Sequence, residues 1–93
     1  MAKYDLIDAF LALSTRKEAE AFLADLCTPG EVRALSERWL VAQFLDAGEM
    51  SYREIAQKAE SSTATVVRVA RFLRDMPHKG YRRVLDRLQA ARR

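Results

Sequence analysis

Tyr52, Arg53, Ser62, Thr63, Ala64 and Val67 are the side chains whose types and spacing suggest chemistry, and that chemistry is the recognition of a polyanion. Arg53 is long enough to reach a guanine edge or a phosphate, and the Tyr52 hydroxyl suits a phosphate oxygen. Ser62 to Thr65 would open a helix with short side chains. Free backbone N–H groups there attract phosphate oxygens, while Thr63, Ala64 and Val67 share a face that could touch base edges or thymine methyls.

Such contacts need two short helices held around a tight turn, and residues 51–73 have that outline. Ser51 and Glu54 form a capping box that opens the first helix, with Ile55 and Ala56 turned inward and small Ala56 allowing close packing. The turn falls at Ala59-Glu60-Ser61. Ser61 or Ser62 then caps a second helix, which carries Val66, Val69, Ala70 and Leu73 toward a core. Counting from Ala56 as the fifth residue of a helix-turn-helix puts Glu60 at the ninth, where φ is positive and glycine is common. A non-glycine residue there costs about 1–2 kcal/mol, and its carboxylate would repel a nearby phosphate. The alternative for this stretch is two core helices joined by a polar turn.

Charge is distributed unevenly. Residues 1–67 hold 7 basic and 11 acidic side chains and residues 68–93 hold 9 and 2, so the overall +3 conceals a positive C-terminal segment that begins inside the second helix of the motif. A solvated basic tail would read the same way; beside a helix-turn-helix it favours a nucleic-acid partner.

At 93 residues the chain makes one domain, 1–93, with a modest core of its own, which points to partnering. The lone Cys27 has no disulfide partner, and one Cys with one His assembles no usual zinc site, so no metal is expected. Neither a signal-peptide pattern nor a membrane-length apolar run is present, and a cytoplasmic location is expected. No nucleophile, base and orienting acid can be grouped, which argues against an enzyme. Cys27 reads as a small core residue and His78 as a loop residue exposed to solvent.

In chain order the apolar periodicity predicts a helix over 4–13, then one capped by Thr15 with Glu18 that ends near Cys27. Thr28-Pro29-Gly30-Glu31 starts a third helix, which Gly48 stops. Its Val32, Leu35, Trp39, Leu40, Val41, Phe44 and Leu45 cover more than one face, so burying them all calls for a dimer. After the motif, Met76 to Gly80 breaks the pattern, and a last helix over 81–90 carries Val84, Leu85 and Leu88 on one side. The prediction is all-α with six helices.

Leu26-Cys27-Thr28-Pro29, the run from Gly48 to Glu54 and the run from Ala64 to Arg68, in ungapped spacing, resemble the tryptophan repressor family. With the C-terminal KGYRRVLDRL, the resemblance is closest to its YerC/YecD branch and covers about two-thirds of the chain. It implies an intertwined homodimer whose two heads bind a palindromic operator of double-stranded DNA, with half-sites about 34–36 Å apart. A transcription repressor is the function implied, with a helix-turn-helix adaptor for a protein partner as the alternative.

The resemblance also implies a small-molecule corepressor site. In the tryptophan repressor the indole lies between two arginines with threonines nearby, and the matching residues here are Arg38, Arg68, Thr28 and Thr65. The glycine that makes room for the indole is replaced by Val69. A branched side chain there disfavours L-tryptophan as the effector, because filling a packed site costs about 1–3 kcal/mol.

Overall fold

In a computed structural model, which describes residues 3–92, the chain forms six α-helices and no strand among those residues. They are α1 (Leu6–Leu11), α2 (Arg16–Leu26), α3 (Pro29–Ala47), α4 (Tyr52–Lys58), α5 (Thr63–Arg74) and α6 (Gly80–Ala91). The chain divides into two compact units, 1–33 and 34–93.

Side-chain caps account for most of the boundaries. The Thr28 hydroxyl accepts from the Glu31 N–H at 3.1 Å while Glu31 accepts from the Thr28 N–H at 2.9 Å, a reciprocal box that starts α3 beside Pro29. Those same Thr28 contacts, the backbone N–H foremost, hold the Glu31 carboxyl below its ordinary range. At the far end Gly48 takes φ +71° and stops the helix, as its type predicts.

Helix α1 is shorter than its periodicity predicts. Asp5 and Asp8 cap each other, which sets its start at Leu6. The apolar pattern continues to Leu13, but the Ser14 N–H donates to Glu18 and the Thr15 hydroxyl caps α2, so the next helix takes over the backbone there. In this first unit the rings of Phe10 and Phe22 meet edge to face at 5.6 Å. Neither α1 nor α2 has a buried residue; Leu6, Ile7, Phe10, Leu11 and Leu26 are all exposed.

The core belongs to the second unit. Val41, Ile55, Val66 and Val69 are sealed from solvent, with Ala42, Ala56, Ala59 and Ala70 providing close approach. Four alanines among the eleven core residues let short helices pack tightly at the cost of little apolar area. Trp39 and Tyr81 stack at 6.4 Å on the margin of this core. On α6 only Leu85 is buried; Val84 and Leu88, expected on the same side, are about half exposed.

An ionic clamp joins α6 to the end of α3. Arg82 donates to Asp46 at 2.6 Å and to Asp86 at 2.8 Å, and Gln89 donates to the second Asp46 oxygen at 2.7 Å. The Arg82 hydrogen bond, aided by Gln89, holds the Asp46 carboxyl below its usual range, against the desolvation that would raise it. A carboxylate with a depressed folded-state pKa stabilises the fold above its unfolded value of about 3.9 and loses that contribution as pH falls through the folded value. Asp46→Asn should therefore lower Tm at pH 7, and the gap to the wild type should close on acidification below about pH 4. Thermal melts across that range measure it, and a gap independent of pH would show that the charge on Asp46 contributes nothing.

Candidate nucleic-acid interface

The two helices of the motif are built by local caps and fixed by the core beneath them. The Ser51 hydroxyl accepts from the Glu54 N–H at 3.2 Å and Glu54 accepts from the Ser51 N–H at 3.1 Å. That backbone N–H, with the hydroxyl second, keeps the Glu54 carboxyl below the ordinary glutamate range. Ile55 and Ala56 point inward, leaving Tyr52 and Arg53 exposed on the first turn of α4. Arg53 makes no ion pair or side-chain hydrogen bond among the described residues.

The turn explains the conformation of Glu60. The Ser61 N–H donates to the Ala56 carbonyl at 2.8 Å and the Glu60 N–H to the Gln57 carbonyl at 3.2 Å, the two bonds of a Schellman ending. That ending needs a left-handed residue between helix and exit, and Glu60 supplies it at φ +53°. The count along the motif placed the positive φ at this residue. Glu60→Gly should therefore raise stability by about 1 kcal/mol, the relief of left-handed strain less the added freedom of glycine in the unfolded chain. An unchanged urea midpoint would argue against strain at this position.

Ser62 caps α5, and its hydroxyl accepts from the Thr65 N–H at 3.1 Å and lies 3.0 Å from the Thr65 hydroxyl. Both hydroxyls are thus engaged with each other. Beyond them α5 separates cleanly: Val66, Val69, Ala70 and Leu73 are buried, while Thr63, Ala64, Val67, Arg71 and Arg74 lie along the opposite exposed side. Val67 is 56% exposed, an aliphatic side chain presented to solvent with polar neighbours on either side. The six residues that sequence assigned to DNA contact, Tyr52, Arg53, Ser62, Thr63, Ala64 and Val67, are all exposed on α4, on α5 or at its cap. Sequence reasoning overlooked that Arg71 and Arg74 continue the same side of α5, although their i+4 and i+7 spacing from Val67 was a readable signal.

The residues matched to an effector site are engaged within their own neighbourhoods. Arg38 donates to the Ala34 carbonyl of its own helix at 3.4 Å, and the Arg68 guanidinium lies 4.7 Å above the Phe72 ring, which stacks on His78. Thr65 holds Ser62, and Thr28, in the first unit, caps α3. Val69 is 1% exposed and packs into the core. In the second unit a cavity of about 440 Å³ is lined by Trp39, Phe72, His78, Gly80, Tyr81 and Val84, and none of Arg38, Thr65 and Arg68 borders it. Among the described residues no three His, Cys, Asp or Glu side chains gather as metal donors, and no helix is long and apolar enough to cross a membrane.

Comparison with known proteins agrees with this geometry. The family model of the Trp repressor protein matches residues 4–89. YerC of Bacillus subtilis, itself uncharacterised, is 36% identical over 84 residues, covering 90% of this chain and 79% of that protein. A solved TrpR-like protein from Eubacterium eligens superposes with a TM-score of 0.84 at 42% identity, covering 90% of this chain and 84% of that one. A Staphylococcus aureus structure assigned provisionally to the Trp repressors gives 0.83 at 39% identity, with 90% and 82% covered. Six helices in this order, a helix-turn-helix with its left-handed turn residue, and a match over nearly the whole length mean that the chain belongs to the Trp repressor family, on the side of YerC and the TrpR-like proteins.

Proposed function

We propose that two copies of this chain bind a palindromic DNA operator through α4 and α5 and repress transcription by occupying it. The family is one of helix-turn-helix regulators. The observation that carries the reading is the exposed side of α5: short residues at a capped N-terminus, then Val67, on a helix whose other side is locked into the core. That arrangement lets the backbone of α5 approach a major groove while α4 crosses the phosphate rail, with Arg53 able to reach a guanine. Thr63, Ala64 and Val67 face the bases, and Tyr52 and the Ser62 end of α5 face phosphate.

What the chain leaves uncovered supports the dimer. A helix pair with no buried residue and five large apolar side chains exposed has no core of its own, and Leu35 on α3 is 45% exposed as well. A second copy supplies the missing surface and makes residues 1–93 one interlocked domain.

L-Tryptophan is disfavoured as the effector, because the branched side chain of Val69, buried in the core, stands where the Trp repressor has a glycine that makes room for the indole. Selection from a random DNA duplex pool, run with and without L-tryptophan, tests these points together. The expected result is a two-fold symmetric motif enriched equally in both arms. No enrichment would overturn operator recognition in favour of a protein-binding adaptor, and enrichment only with L-tryptophan would restore it as corepressor.

A further inference from the structure

The concavity between the start of α4 and the outer side of α5 holds more positive charge than the fold uses. About 510 Å³ in volume, it is lined by Tyr52, Val67, Ala70, Arg71, Arg74 and Asp75. Arg71 and Arg74 are both exposed, and neither is paired with a carboxylate among the described residues. Arg74 instead donates from Nη1 to the Tyr52 hydroxyl at 3.2 Å, a contact 22 residues apart in sequence. A phenol that accepts from a guanidinium keeps its own O–H to give away, and the adjacent cation makes it a stronger donor. Among the described residues the remaining N–H groups of Arg74 and all those of Arg71 have no acceptor, which leaves them for an anion. Asp75 is the one acid on the lining, and the two arginines outweigh it.

We propose that Tyr52, Arg71 and Arg74 form a phosphate clamp, which grips one backbone phosphate of the DNA strand beside the groove that α5 reads. The inference rests on the DNA-binding reading above and adds to it the residues that fix the register of the protein on the duplex. Position supports a phosphate rather than a base. In helix-turn-helix docking the N-terminal end of the second helix meets base edges and the first helix crosses the backbone. Arg74 lies 11 residues beyond Thr63, about 16 Å along α5 at 1.5 Å per residue, and so lies well away from the reading end. It is joined there to the first residue of α4, the helix that crosses the strand. Arginines in a last helical turn also favour the helix dipole, but that role requires neither the tyrosine nor a shared concavity.

Fluorescence anisotropy with a selected operator and a scrambled duplex, over a series of salt concentrations, tests the clamp. Arg71→Ala with Arg74→Ala should weaken both duplexes by the same factor. The slope of log K against log salt should become shallower by about 0.9, the contribution of one phosphate contact. Tyr52→Phe should weaken both duplexes several-fold with selectivity unchanged, and Arg71→Lys with Arg74→Lys should keep most of the slope. Urea midpoints equal to the wild type show that the fold is intact, as expected for exposed side chains.

An unchanged slope in the double alanine variant overturns the clamp, and so does a loss confined to the operator, which would make these residues base readers. If the wild type binds neither duplex at low salt, the DNA-binding reading itself fails, a result distinct from failure of the clamp alone.

Discussion

Ile55→Ala is expected to destabilise the protein by about 2–5 kcal/mol, a large share of what holds a domain of this size together. The side chain is 1% exposed and is among the largest fully buried ones. Its helix, α4, has only seven residues, well short of the roughly 12–15 at which an isolated helix becomes even marginal in water. The capping box at Ser51 and Glu54 starts α4 but cannot sustain it alone, so the helix persists because Ile55 and Ala56 are anchored in the core it shares with α5. Urea denaturation reads the loss. DNA affinity should fall with it, because Arg53 and Tyr52 are presented by the same two turns. A shift below about 1 kcal/mol would mean that the cavity collapses or that α4 is held by contacts outside the core.

Arg53→Ala should cost about 1–3 kcal/mol of discrimination between the operator and a duplex changed at the base pair this residue reads. Arg53 is exposed, follows the first residue of α4 and has no partner among the described residues, so its removal leaves no buried group unsatisfied and the fold intact. Competition assays with singly substituted operators would show selectivity lost at one symmetric pair of positions and kept elsewhere. Equal weakening on every duplex would reassign Arg53 to phosphate and leave base reading to Thr63, Ala64 and Val67.

The parts of this molecule that were legible in its sequence are those whose causes are local. Thr28 with Glu31 and Ser51 with Glu54 are pairs three residues apart, and they place the starts of α3 and α4 to the residue. The alternation along α5 is equally local, and so is the left-handed position of Glu60, which follows from counting along one motif. What was not legible depends on distant partners or on competition between neighbours. The Arg82, Asp46 and Gln89 cluster joins residues 36 and 43 apart, and the Arg74 to Tyr52 bond spans 22. No periodicity announces such pairs. Helix α1 ends early because the next cap competes for its backbone. Lys79, and not Gly80, takes the second strained position at φ +61°, because Gly80 is already the first residue of α6. The exposure of Val84 and Leu88 was hidden for a related reason, since periodicity identifies an apolar side of α6 but not whether anything covers it.

The absence of any buried residue in α1 and α2 has a consequence for the cell. If a second copy is what covers those helices, folding of the first third of the chain is a bimolecular event, and its completeness follows mass action. Each fall in copy number, through slower synthesis or dilution by growth, then removes operator-competent pairs as the square of the free chain and also returns monomers to a form with an apolar side open to proteases. Abundance and activity would decline together. A regulator made this way responds more than proportionally to its own dosage.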